Sequence, residues 1–220
     1  MAIGDIRMKV NKNLQQYIEE NIFPIYEKND LSHNLDHIKY VINRSLNFAN
    51  EVDNINYNMV YTIAAYHDIG HHIDDKNHEK ISAEILLSDK NLRDFFTEDE
   101  INIMSEAVYD HRSSLIGEPR SIYGKIVSSA DRNNTVEACL RRTYTYGKKL
   151  DPNATDEELF LKAYDVLTKK FGENGYAKFY FKDSVYEEFL HELRTLLSNK
   201  ENYLKTQKQY INKLKQEKKI

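Results

Sequence analysis

The sequence predicts an all-helical fold, and three observations carry that expectation. Apolar residues recur at three- and four-residue spacings along most of the chain, as one buried face of a helix requires. Helix breakers are scarce, with seven glycines and three prolines in 220 residues. Two Thr-x-x-Glu pairs, Thr97 with Glu100 and Thr155 with Glu158, stand where capping boxes would open helices. Hydrophobic residues at 40% beside 30% charged residues suit one globular domain with a sizeable core.

The elements follow in order. Leu14, Ile18, Ile22 and Ile25 mark a first helical stripe, and Pro24 interrupts it, so a turn is expected there. Ser32 stands where it would cap a second helix, whose face is Ile38, Val41, Ile42, Leu46 and Ala49. His37 lies four residues before Val41 and points inward from the first turn. Tyr57 through Ile63, Ala64 and Ala65 to His67 and Asp68 is an apolar helix that Gly70 ends, and a polar loop runs from His71 to Asn77. A further helix starts near His78 and carries Ile81, Ile85 and Leu86 inward. The helix opened by Thr97 places Ile101, Met104, Val108 and His111 on its apolar side. Pro119 and Ser121 introduce the next, whose face of Ile122, Ile126, Val127 and Ala130 leads into Asp131. Residues 149–156 form a loop, Thr155 caps another helix, and glycines at 172 and 175 break it. Residues 184–213 read as one long final helix. Its Lys- and Gln-rich tail is a solvated end, with subunit contact in a homodimer as the alternative.

The formal net charge is −4 and the pI about 6.1, so nothing draws the chain to nucleic acid or to an anionic membrane. Any phosphate group must be met by local charge. The single cysteine, Cys139, excludes an internal disulfide framework and sits in a helical stretch as a buried apolar residue. No long apolar run opens the sequence, so cytoplasm is the expected location. There is no internal repeat and no Gly-rich phosphate loop.

His37, His67, Asp68 and Asp131 come from three separate helices, each at or beside an apolar face. One inward histidine is usually a hydrogen-bonded core residue. Here His78 and His111 also face inward, and four imidazoles with two carboxylates are costly to bury unpaired, at about 1–3 kcal/mol each. A divalent ion removes that cost, because imidazole and carboxylate are its natural ligands.

The stretches Asp36-His37-Ile38, Ala64-Ala65-Tyr66-His67-Asp68-Ile69-Gly70 and Ser129-Ala130-Asp131-Arg132 together resemble the HD-domain metal-dependent phosphohydrolase superfamily. The resemblance covers roughly residues 31–140. It implies a helical bundle of at least five core helices, followed over residues 141–220 by additional C-terminal helices. It also implies that His37, His67, Asp68 and Asp131 hold a first ion and that Asp68 bridges to a second one on His78 and His111. One or two divalent ions are therefore expected, drawn from iron, manganese, zinc, cobalt, nickel or magnesium.

Asp68 would also accept a proton from the attacking water. Arg112 and Arg132 each follow an expected ligand and would either hold phosphoryl oxygens through their donor forks or face solvent. His71, three residues after Asp68, stands where relatives of this superfamily often carry Lys or an acid; it would touch phosphate or donate a proton. His33 and His191 read as ordinary histidines, as does at least one of the adjacent His71 and His72, and Asp74 with Asp75 reads as a solvated loop pair, with a general acid as the alternative. Tyr144 and Tyr146 are candidates to stack on a base. The implied activity is hydrolysis of a phosphomonoester, phosphodiester or nucleotide pyrophosphate, with a small phosphorylated molecule, first of all a nucleotide, as substrate. The alternatives are a non-catalytic nucleotide or metal sensor and a dinuclear-iron oxygenase.

Overall fold

The computed structural model describes residues 9–30, 33–132, 135–218 and 220. Among them are ten α-helices, two short 3-10 helices and no strand, so the all-helical expectation holds. The contacts divide the chain into two compact units, residues 1–131 with 178–181, and residues 132–177 with 182–220. Among the described residues no helix is long and apolar enough to cross a membrane.

The first unit opens with α1 (Lys12–Asn21), whose Asn11 cap accepts from the N–H groups of Asn13 and Leu14 and whose Leu14 and Ile18 are fully buried. A 3-10 helix, Phe23–Lys28, follows, with Pro24 in its first turn, where a missing N–H costs nothing. Then come α2 (Leu35–Ala49), α3 (Tyr57–Tyr66), α4 (His78–Ser88), α5 (Glu98–Tyr109) and α6 (Ile122–Ala130). Ser32 lies outside the described residues; the α2 cap that the structure shows is Asn34, whose side chain accepts from the N–H groups of Asp36 and His37. Thr97 and Glu100 close a capping box on α5, and Ser121 caps α6.

Helix α3 is buried on every side from Met59 to Tyr66, as befits the central element, and it packs on α2, α5 and α6. It ends earlier than expected. Gly70 does not terminate it: the last helical residue is Tyr66, His67 is the cap, and the chain passes through tight turns in which Ile69 N–H meets Tyr66 O and His71 N–H meets Asp68 O. Gly70 serves close approach instead. A Cβ there would stand 2.7 Å from Ile81 Cγ2 and 3.0 Å from the Ser82 nitrogen, and its N–H donates to Ser82 Oγ at 2.9 Å. On α6, Ile126, Val127 and Ala130 are buried as expected, but Ile122 in its first turn is 40% exposed.

The second unit holds α7 (Val136–Leu150), α8 (Asp156–Phe171), α9 (Ser184–Leu197) and α10 (Lys200–Gln216). Thr155 and Glu158 form the expected capping box on α8. The single long final helix is instead two, because Asn199 turns its side chain onto the N–H of Asn202 and starts a new one. Cys139 is buried, as expected.

Candidate metal centre

His37 leaves the first turn of α2, His67 and Asp68 leave the end of α3, and Asp131 caps α6. These four offer one ligand atom each within 4.8 Å of one another. His37 Nε2 is 3.2 Å from Asp131 Oδ1 and 3.6 Å from Asp68 Oδ2; His67 Nε2 is 3.3 Å from Asp68 Oδ2 and 4.0 Å from Asp131 Oδ1. Donors about 2.1 Å from one ion lie roughly 3.0–3.5 Å from each other, so the spacing suits a shared cation.

The same carboxylate faces a second group. Asp68 Oδ1 is 3.2 Å from His78 Nε2 at the start of α4 and 3.4 Å from His111 Nε2 just beyond α5, and the three form a further set of potential ligands. Asp68 thus turns one oxygen to each set.

Backbone carbonyls settle which ring nitrogens face inward. His67 Nδ1 donates to Ala64 O at 2.8 Å, His78 Nδ1 to Asp75 O at 2.9 Å and His111 Nδ1 to Val108 O at 2.6 Å. Each contact spans three residues and leaves Nε2 directed at the cluster, the arrangement by which a neighbouring acceptor orients a metal-binding imidazole. Three buried atoms of the first set, His37 Nε2, His67 Nε2 and Asp131 Oδ1, make no hydrogen bond. Buried polar atoms without a partner are rare and costly, and a divalent cation is the partner whose chemistry fits these donors.

Without a cation the cluster is a network of charge. Burial disfavours the charged form of His67, but the Asp68 and Asp131 carboxylates more than offset it and raise its pKa to about 9. Burial opposes the charge on His37 as well, and the nearby Asp131 and Asp68 carboxylates raise it overall. Asp68 and Asp131 are held ionised against their own burial, the first chiefly by His67 and the second by His37. Burial, joined by His111 and opposed by Asp68, lowers His78.

Other side chains hold the frame. Arg44, buried on α2, donates to Ala130 O at 3.2 Å and lies over the rings of Phe48 and Phe179, so a cation sits at the C-terminal end of α6 where Asp131 begins. Buried Asp110 accepts from Arg120 Nε, from its terminal nitrogen and from its backbone N–H, which anchors the chain next to His111. Tyr26 donates to Ala65 O at 2.7 Å beneath the His-Asp pair. Sequence reasoning did not single these out, because an arginine or tyrosine on a helix face declares no partner until the distant acceptor is in place.

The remaining expected residues are distributed as follows. His71 stacks on His33 at 3.7 Å, with its ring 5.2 Å from that of His78. Burial, His33 and His78 together lower His71 to about 4, against the opposing carboxylates. Arg112 donates to Lys76 O at 2.6 Å and to both Glu79 oxygens at 3.1 and 3.2 Å, so an acid beside His78 holds it. Arg132 is buried and belongs to the second unit, which overturns its solvent-facing alternative. Asp74 accepts from Lys76 N–H and the Asn77 amide, a loop role. Tyr144 is buried with its hydroxyl on Asp156, so its ring is closed to a base, while Tyr146 is exposed; both lie in the second unit. His33 departs from its ordinary reading, since it forms a group with Asp30 and His71.

No curated protein and no solved structure matches the chain. A family model described as the HD domain matches residues 34–134, a stretch that contains all six converging histidines and aspartates. Residues 34–134 of this chain thus match the HD domain, consistent with the HD-domain metal-dependent phosphohydrolase superfamily.

Proposed function

We propose that the protein hydrolyses phosphate esters of small molecules, nucleotides first among them, with divalent metal held by its converging histidines and aspartates. The observation that carries the reading is Asp68, whose two oxygens face two separate sets of nitrogen and oxygen donors. His37, His67 and Asp131 would hold one ion with Asp68, and His78 and His111 a second. Such ions, when bound, neutralise phosphoryl oxygens and make water nucleophilic near neutral pH.

The chain's own residues supply the remainder. Asp68 is held ionised among the imidazoles, and as a carboxylate it would accept a proton from the attacking water. Arg112, oriented by Glu79, holds a guanidinium near His78, where it would meet a phosphoryl oxygen. His71 would contact the same group from the His78 side.

The test is metal analysis of protein purified without chelator, combined with phosphate and pyrophosphate release from mono-, di- and trinucleotides and simple phosphomonoesters and diesters. Two equivalents of metal with metal-dependent release support the reading. Tight nucleotide binding without turnover would make the protein a sensor, and iron with an oxygen-dependent colour change would make it an oxygenase.

A further inference from the structure

Beside the two ligand sets stands a group of side chains they do not use. Asp30, His33 and His71 offer ligand-type atoms within 4.8 Å of one another. Asp30 Oδ1 lies 2.8 Å from His33 Nδ1 and also accepts the His33 backbone N–H at 3.2 Å, so one carboxylate oxygen fixes both ring and backbone. The His33 ring lies nearly flat on His71, with centroids 3.7 Å apart and planes 22° from parallel. Its edge meets the His37 ring at 6.0 Å and 83°, while the His71 ring reaches His78 at 5.2 Å. The stacked pair therefore runs from a member of the first ligand set to a member of the second.

A third cation is not what this geometry suits. Imidazole binds metal in the plane of its ring, and two nearly parallel rings 3.7 Å apart aim their lone pairs side by side rather than at one point. Stacking instead removes the freedom of a ring to tilt, which is how a contact to substrate is kept in place.

We propose that His33, fixed by Asp30, is a positioning residue that holds the His71 ring at the edge of the metal centre, where His71 meets a phosphoryl oxygen of the substrate. Asp30 and His33 lie just before the stretch that matches the HD domain, so this is a device of the chain preceding it. The proposal rests on the phosphohydrolase reading.

The test uses the full chain loaded with manganese, with inorganic phosphate as the probe in titration calorimetry and phosphate release as the second readout. His71→Ala and His33→Ala are expected to weaken phosphate binding and raise KM about tenfold, with kcat moved less and two metal equivalents retained. His33→Phe keeps a ring to stack and Asp30→Asn keeps an acceptor for Nδ1–H, so both should restore most of the loss that His33→Ala and Asp30→Ala show. Wild-type phosphate affinity in both His33 variants, or loss of a metal equivalent in Asp30→Ala, overturns the positioning role. If Asp68→Ala abolishes release while His71→Ala is fully active, this proposal fails and the phosphohydrolase reading stands. If the wild type neither binds nor releases phosphate, both fail.

Discussion

His78 and His111 bring their Nε2 atoms to 3.2 Å from each other while both rings contact backbone carbonyls through Nδ1. With the proton of each neutral ring on Nδ1, two lone pairs face one another and the Asp68 oxygen as well. Three acceptors meeting at such distances repel unless a cation or an added proton lies among them. A second ion beside the first, as proposed, would relieve that repulsion.

Ligand variants should separate the two positions. His78→Ala or His111→Ala should lower the metal content by one equivalent and leave the other, as should His37→Ala for the opposite ion. Asp68→Ala should lose both, because its oxygens serve both sets. Each should reduce phosphate release more than about 100-fold, beyond what residues that only orient a ligand contribute. Elemental analysis beside the assay checks this; an Asp68→Ala protein retaining two ions contradicts the shared carboxylate.

Protons and metal compete at His67. In the metal-free protein its pKa is about 9, above the 6.5 of an unperturbed imidazole, so it is charged at neutral pH and must lose a proton to bind an ion. Apparent metal affinity should therefore climb as pH rises toward 9, and binding at pH 7 should release protons, measurable as a dependence of calorimetric heat on buffer ionisation. The linkage to stability has the opposite sign. A raised folded pKa contributes stability that is fully present below about 6.5 and fades as pH rises through about 9, so the metal-free protein should melt lower at pH 9.5 than at pH 6.5.

Arg44 ties the helix of His37 to the carbonyl that precedes Asp131. Arg44→Ala should leave Ala130 O without that donor and remove a buried stem from the rings of Phe48 and Phe179, at about 1–3 kcal/mol. The more telling readout is metal affinity, expected to fall by about tenfold because the Asp131 end of α6 is no longer fixed. Thermal melting with and without metal measures both effects. Equal destabilisation in the two states would mean that Arg44 supports packing alone.

The sequence shows the helices and the convergence more readily than it shows what holds them. The periodicity around His37, His78 and His111, and the apolar run ending in His67 and Asp68, place five side chains inward from local pattern alone. Capping boxes at Thr97 and Thr155 are equally local. What stays hidden depends on distant partners. Gly70 resembles a helix terminator until α4 is seen against it, Asn199 is one polar residue among many until its side chain is seen capping α10, and His33 gains meaning only from the ring it stacks on. Ile122 satisfies the apolar period but falls in a first turn that the core does not cover.

Gly70 gives the sharpest test of how the fold serves the centre. An alanine Cβ would meet Ile81 Cγ2 at 2.7 Å, Ile81 Cβ at 2.9 Å and the Ser82 nitrogen at 3.0 Å, and the last of these is backbone that cannot rotate away. Helix α4 must therefore move back, at about 1–3 kcal/mol, which for a chain of this size lowers Tm by roughly 2–4 °C per kcal/mol. Because His78 opens α4, the displacement should carry its Nε2 away from Asp68 while His37, His67 and Asp131 keep their places. Gly70→Ala is thus expected to melt lower and to lose affinity at the second ion selectively, with the first retained. Adding Ile81→Ala removes the closest clash but leaves the Cβ and the Ser82 nitrogen, so recovery should be partial. Full recovery would place the whole strain in the Ile81 side chain, and equal loss of both ions would show that the turn after Asp68, rather than α4, had yielded.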